Sequence, residues 1–300
     1  MRGVCAPVRR FAAPGVTGSA MTTSSVTGLL QNVSGTLVLV GAGKMGGAML
    51  DGWLRLGFTR ERIVILEPRP SPDIEAVTKL GVRLNPPADA VREVAFIVVA
   101  IKPQEAAAVV PTLKPLAGSG ALVISIMAGK TLAFLQGALG ADSAIVRAMP
   151  NTPAAIGRGI TVGVPNAKVT ANQKTLAHRL LSAIGAVEWV EDEALIDAVT
   201  AVSGSGPAYV FLLAESLARA GAAAGLPADL ASRLARATVS GSGELLNQSS
   251  LDAATLRQNV TSPGGTTAAA LGVLMAADGL DPLLEKAIAA ATRRSRELAG

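Results

Sequence analysis

A mainly parallel, doubly wound α/β sheet followed by a purely helical region is the fold class that this 300-residue sequence predicts. Three patterns predict it. Apolar, strand-like runs alternate with helical ones as far as Glu193. The first run passes directly into a glycine-rich turn that opens a helix, Gly41-Ala42-Gly43-Lys44-Met45-Gly46. After Glu193 the alternation stops, and every periodic stretch has helical spacing. The chain therefore divides into a tail over 1–34, an N-terminal Rossmann-type dinucleotide-binding domain over 35–193, and an all-α C-terminal domain over 194–300.

Taken in order, 1–34 holds no acidic residue and three arginines, a composition that resembles a transit peptide. The alternatives are a disordered tail or a start at Met21. A buried strand follows at 36–40, then the glycine turn and a helix over 47–54. Gly41 allows the tight turn, Gly43 lets backbone approach a pyrophosphate, and Gly46 allows close helix packing. The next strand, 62–66, ends at Glu67. An acidic residue there holds a ribose 2′-hydroxyl and favours NAD, whereas Arg69 would meet the 2′-phosphate of NADP. The sequence leaves the two open. A helix is expected over 74–80, and a fully buried strand over 94–100 that delivers Lys102 to the carboxyl end of the sheet, where open α/β sheets bind ligands. Further helices are expected over 105–113, 132–139 and 173–184, and further strands over 121–126, 144–147, 160–162 and 187–190. The helical domain reads as 195–202, 208–221, 228–248, 252–259, 267–277 and 282–299. Its helices are so rich in alanine that some are expected to bury a face against another subunit.

Composition narrows the chemistry. The net charge of +5 is mild and no basic stripe is interleaved with aromatics, so no nucleic-acid partner is expected. Residues 198–214 are uncharged, but Gly204, Ser205, Gly206 and Pro207 interrupt them. They read as a loop and a buried helix rather than a membrane span. Cys5 is the only cysteine, which excludes an internal disulfide and a thiolate metal site; no metal is expected. His178 is the only histidine and sits in a charged helical stretch, as an exposed helix residue would. Chemistry without His or Cys favours a reaction whose hard step a cofactor carries.

A second feature completes that picture. Thr261-Ser262-Pro263-Gly264-Gly265-Thr266-Thr267 consists of small, hydroxylic or turn-forming residues, and an alanine-rich helix starts at once. Pro263 fixes its own φ and the glycines adopt conformations closed to other residues. The amides of Gly264, Gly265, Thr266 and Thr267 at a helix N-terminus suit a carboxylate or phosphate. A plain capped helix start would look similar.

These stretches, in this order, resemble pyrroline-5-carboxylate reductase over 37–298. The resemblance rests on Val-Gly-Ala-Gly-Lys-Met-Gly at 40–46, Ile-Lys-Pro at 101–103, Arg-Ala-Met-Pro-Asn-Thr-Pro at 147–153, Ala-Val-Thr-Ala-Val-Ser-Gly-Ser-Gly-Pro-Ala-Tyr at 198–209, and Asn-Val-Thr-Ser-Pro-Gly-Gly-Thr-Thr at 259–267. The last two are far more specific than the glycine fingerprint. The resemblance implies hydride transfer from NAD(P)H to the C5 imine carbon of 1-pyrroline-5-carboxylate, giving L-proline; the cofactor expected is NADPH, with NADH possible. It implies that Val40, Gly41, Ala42, Gly43, Lys44, Met45 and Gly46, with Ala100, Ile101, Lys102 and Pro103, hold the dinucleotide. Ile126, Met127 and Ala128 would line its path, and Asn259 would contact it. Thr266 and Thr267 match substrate positions, beside Ser262, Gly264 and Gly265 of the anion clamp; Glu193 aligns with another. Thr267 would hydrogen-bond the imine nitrogen or relay a proton through water. A cytoplasmic homodimer with interlocked helical domains, gathered into larger rings in some members, is the expected assembly. Two rivals share the fold. A 3-hydroxy acid dehydrogenase needs a lysine with an asparagine one turn on, but Lys286, the only lysine after Lys174, has Ala290 there. A nucleotide sensor would have no use for 262–267.

Overall fold

A computed structural model describes residues 30–118 and 120–299. Eight strands form one sheet in the order β3-β2-β1-β4-β5-β6-β7-β8. They are β1 (Thr36–Val40), β2 (Ile63–Leu66), β3 (Arg83–Leu84), β4 (Val94–Val99), β5 (Leu122–Ser125), β6 (Ala144–Met149), β7 (Gly159–Pro165) and β8 (Gly185–Trp189). Every neighbouring pair is parallel except β6 and β7. The exception has a simple cause. The connection 150–158 is a 3₁₀ turn, Thr152–Ile156, and is too short for a parallel crossover, which takes about a dozen residues or more. The two-residue β3 has no apolar run and escapes a reading based on hydrophobic pattern.

All five residues of β1 are buried, because helices cover both faces of the sheet. Leu37 and Leu39 join one core with Met49, Leu50 and Trp53 of α1 (Lys44–Arg55) and Leu180 of α6 (Ala171–Leu181). Val38 and Val40 join the other, with Val110, Leu113 and Leu135. Trp53 is wholly buried, and its Nε1–H donates to the Leu180 carbonyl at 2.9 Å, so its one polar atom is satisfied. Leu30 and Val33 lie in the first core too, and the Leu30 amide donates to Leu56 O at 3.2 Å. The folded chain thus reaches back to Leu30, into the stretch read as tail. The transit-peptide, disordered-tail and Met21 readings of 1–29 fall outside the described residues.

Ile74 of α2 (Pro72–Thr78) adds to the first core, and Ala106 of α3 (Ala106–Val109), Ala117 of α4 (Lys114–Ala117) and Leu135 of α5 (Leu132–Leu139) to the second. The helix expected over 105–113 is broken into 3₁₀ and α turns, since Pro103, Pro111 and Pro115 each lack a backbone donor.

The rest is helical: α7 (Leu195–Val199), a π turn at Thr200–Gly204, α8 (Gly206–Ala223), α9 (Ala228–Gln248), α10 (Ala253–Asn259), α11 (Thr266–Leu274) and α12 (Leu280–Ala299). The π turn replaces both the end of the helix expected over 195–202 and the loop expected after it. Helices α8 and α9 pack through small residues: a methyl on Gly221 would stand 3.3 Å from Ala231 Cβ, and Ala231 and Ala235 are buried. Helix α12 packs back against α7, where Ser295 Oγ donates to Asp197 Oδ1 at 2.7 Å.

The expectation of a buried helix after Gly206 is corrected, since no residue of α8 is buried within one chain. Val210, Phe211, Leu212 and Leu213 are 46%, 64%, 56% and 50% exposed. Four consecutive residues spread over roughly 300° of a helix, so no single face of this chain covers them. The stretch Leu195–Ala223 is apolar and long enough to cross a membrane by length and composition alone. A water-soluble helix that is apolar around its circumference needs cover from another body.

Candidate active site

At the end of β1, Gly41 turns the chain with φ +87°, and its N–H donates to Leu66 O at 2.9 Å. A side chain at Gly41 would also meet the Ala100 carbonyl oxygen at 2.8 Å. A methyl on Gly46 would run into the Gly41 carbonyl oxygen. At Gly43, by contrast, a methyl would meet nothing within 4 Å, so the backbone there faces open space. Gly43 caps α1 without a side chain, and no acidic residue stands in the first turn. The amides of that turn lack intrahelical partners, and the helix dipole adds partial positive charge. These residues fit a pyrophosphate, the group the glycine pattern predicts.

The ribose end is built from β2. Glu67 Oε2 accepts from the Ala42 amide and Oε1 from the Arg69 amide, each at 3.0 Å. Asn85, at φ +45°, fixes Glu67 from behind: its side chain accepts from Glu67 N and donates to Glu67 O, both at 2.8 Å. The Arg69 side chain is 84% exposed, with Glu105 Oε1 4.0 Å away.

A cleft of about 260 Å³ opens at the carboxyl ends of the central strands. Met45 contributes from the first turn of α1, and Ala100, Ile101 and Pro103 from just past the end of β4. Ile126, Met127 and Ala128 follow β5. These seven expected cofactor contacts therefore share one cavity. Lys44 and Lys102 are exposed beside it and are not part of its lining. Sequence reasoning missed the remaining wall: Met149 at the end of β6, Pro150, Asn151 and Thr152 after it, and Gly204 of the π turn. Asn151 joins these pieces, donating to Ser203 Oγ at 3.2 Å and accepting from Ile160 N at 3.0 Å. The signal was present in the two family-like stretches 147–153 and 198–209.

The turn expected to clamp an anion is formed but does not reach this cleft. Gly264 takes φ +68°, the Gly265 amide donates to Ser262 O at 3.0 Å, and α11 begins at Thr266 with no side-chain cap. Ser262, Gly264 and Thr266 are exposed and Thr267 is half-buried. Asn259 is the last residue of α10, whose start is capped by Asp252. Hydrogen bonds from the Thr255 amide and hydroxyl hold the Asp252 carboxyl below its ordinary range. Neither Asn259 nor any residue of 262–267 lines the strand-end cleft of the same chain.

Glu193, which the resemblance aligns with a substrate position, is engaged within the chain. Its Oε1 accepts from Arg147 Nη1 at 2.7 Å and from the Leu132 amide at 2.8 Å. The carboxylate thus ties β6 to the start of α5. His178 is exposed on α6, as expected, though its Nδ1 accepts from Trp189 Nε1 at 3.2 Å.

The chain matches known proteins over this whole framework. A family model described as pyrroline-5-carboxylate reductase dimerisation matches 193–298, and one described as NADP oxidoreductase, coenzyme F420-dependent, matches 36–129. The pyrroline-5-carboxylate reductase of Pseudomonas aeruginosa is 39% identical over 264 residues, covering 88% of this chain and 96% of that protein. The enzyme of Pisum sativum is 40% identical over 265 residues, again covering 88% and 96%. The solved structure of the Coxiella burnetii enzyme superposes with a TM-score of 0.82 at 35% identity, over 89% of this chain and 99% of that one. The Plasmodium falciparum enzyme, solved with NADP bound, gives 0.75 at 30% identity, over 90% and 100%.

Proposed function

The chain belongs to the pyrroline-5-carboxylate reductase family, and from that premise we propose how its residues carry the family's reaction. It is an NAD(P)H-dependent oxidoreductase acting on an imine, in the step that completes proline synthesis, and it works as a homo-oligomer. The bound dinucleotide supplies the hydride that C5 of 1-pyrroline-5-carboxylate receives. Everything else falls to the chain. The turn Gly41–Gly46 receives the pyrophosphate on the free amides of α1. The apolar lining from Ile126, Met127, Ala128 and Met149 keeps water from the nicotinamide end.

The amides of Gly264, Thr266 and Thr267 receive the substrate carboxylate, with Ser262 beside them; the Gly265 amide, expected to join them, is already taken by Ser262 O and closes the turn instead. The Thr267 hydroxyl meets the imine nitrogen or passes it a proton through water. A hydroxyl is a poor acid near neutral pH, so positioning supplies most of the rate. Thr267→Ala is expected to lower kcat/KM by about tenfold or more, the scale of one hydrogen bond to a charged partner. Steady-state kinetics at saturating cofactor tests this, and unchanged kinetics would refute it.

One observation carries the assembly of the site: 262–267 and the strand-end cleft both exist, yet do not meet within one chain. A partner subunit therefore brings its clamp to the cleft, and the exposed apolar face of α8 is where the two interlock. Phe211→Asp would place an unpaired charge in that contact, at a cost of several kcal/mol. The expected result in size-exclusion chromatography with light scattering is a shift from dimer or larger ring to monomer, with activity lost in parallel. An active monomer would refute the shared site.

The domain division at 193/194 belongs to this reading as well. A cytoplasmic location is proposed, since one cysteine gives no disulfide to require an oxidising compartment. Mass measurement of the N-terminus from cells tests it, because cleavage within 1–34 would indicate import. The activity itself is tested by following NADPH and NADH oxidation with pyrroline-5-carboxylate as substrate.

A further inference from the structure

We propose that Glu67 makes this chain prefer NADH over NADPH, and that Arg69 sustains only a residual use of NADPH. The proposal rests on the dinucleotide-binding reading above and decides what that reading leaves open. The residue after β2 stands beside the adenine-side ribose of a dinucleotide bound at the turn after β1. Here that residue is an acid, and it is held in place from three directions. Its carboxylate accepts from the Ala42 amide, inside the glycine turn itself, and from the Arg69 amide, both at 3.0 Å. Its backbone N–H and C=O are both bound by Asn85 at 2.8 Å. Pro68, Pro70 and Pro72 stiffen the chain that follows.

The consequence is a matter of donors, acceptors and charge. Each carboxylate oxygen keeps a free lone pair after accepting one amide, so the pair of oxygens can take the two hydroxyls of an unmodified ribose. A 2′-phosphate brings only acceptors and about two negative charges to the same place. It can gain nothing from Glu67, and the carboxylate cannot withdraw without breaking its bond to the Ala42 amide. Arg69 offers the opposite charge, but its side chain is 84% exposed and its nearest acid, Glu105, is 4.0 Å away. An exposed guanidinium in water recovers little of what a fixed carboxylate at the binding site takes away.

The experiment measures kcat/KM for NADH and NADPH with pyrroline-5-carboxylate for the wild-type protein, Glu67→Ser, Glu67→Gln and Arg69→Ala. Dissociation constants for the two reduced cofactors come from their own fluorescence without substrate. The wild type should favour NADH by about tenfold or more in both measures. Glu67→Ser should weaken NADH and strengthen NADPH, moving the ratio at least about 100-fold, which is the scale of two hydrogen bonds lost and a repulsion removed. Glu67→Gln keeps the size and the amide-accepting oxygen, and should move the ratio in the same direction by less. Arg69→Ala should widen the preference for NADH.

A wild type that favours NADPH overturns the proposal. So does a Glu67→Ser variant that loses both cofactors by one factor, since Glu67 would then only brace the glycine turn. The binding ratio stands apart from turnover. A protein that binds NADH selectively yet turns over no pyrroline-5-carboxylate would sink the substrate reading and leave this one intact.

Discussion

Replacing Gly46 by valine is expected to weaken NADPH and NADH binding by about tenfold or more and to lower the melting temperature. Even a methyl at this position runs into the Gly41 carbonyl oxygen and stands 3.3 Å from Ala100 Cβ. The obstacles are backbone and a short side chain, so no rotamer change relieves them. Overpacking of this kind costs about 1–3 kcal/mol. That strain falls on the two segments that shape the cofactor turn, because Gly41 is tied to Leu66 and Ala100 to Val40. Gly43→Ala separates stability from binding. Its methyl meets nothing within 4 Å, so melting should stay within a degree or two of wild type. Yet it fills the space through which the pyrophosphate approaches the α1 amides, so affinity should fall several-fold. Equilibrium binding by cofactor fluorescence and thermal melting, run on both variants, check the pair. Wild-type affinity in Gly43→Ala would place the phosphates elsewhere.

Why these glycines were readable from sequence, and other site residues were not, follows from how each acts. Gly41, Gly43 and Gly46 act through local backbone geometry, and a fixed spacing between a strand and a helix records local geometry directly. The central strands were readable for a similar reason. A strand buried on both faces is a continuous apolar run, and β1, β4 and β5 have no other possible place. The wall formed by Met149, Asn151, Thr152 and Gly204 is different. It depends on β6 turning back against β7 and on a π turn displacing Gly204 towards Met149, so that a methyl on Gly204 would stand 2.5 Å from Met149 Cε. Neither event leaves a periodic trace. The exposed helix α8 fails for a third reason. Apolar pattern reports that a surface is covered without saying which molecule covers it, so Phe211 and Leu212 read as core. For Glu193 the alignment gives a position but not the hydrogen bonds that its carboxylate already holds.

That last residue supports the second large effect. Arg147→Met is expected to destabilise the protein by about 3 kcal/mol or more, because it leaves the Glu193 carboxylate without its cation. Arg147 is 4% exposed in its side chain and Glu193 28%, so water replaces the partner only in part. The bond is short, 2.7 Å, and Glu193 Oε1 also receives the Leu132 amide. Glu193→Ala should cost at least as much, since it strands a charged guanidinium in the more buried position. Glu193→Gln keeps an oxygen for both donors and should cost less. The double variant Arg147→Met, Glu193→Leu removes both charges together and should recover much of the loss, as replaced buried ion pairs commonly do. Thermal melts at one fixed protein concentration are the appropriate measurement, because an oligomer of two-domain subunits does not unfold in two states. A double variant destabilised by the sum of the losses of Arg147→Met and Glu193→Leu alone would mean that the pair is not coupled. Kinetics of Glu193→Gln then separate bracing from substrate contact. If Glu193 acts by tying β6 to the start of α5, activity should follow the melting temperature. A fall in kcat/KM with melting unchanged would show that Glu193 contacts the substrate.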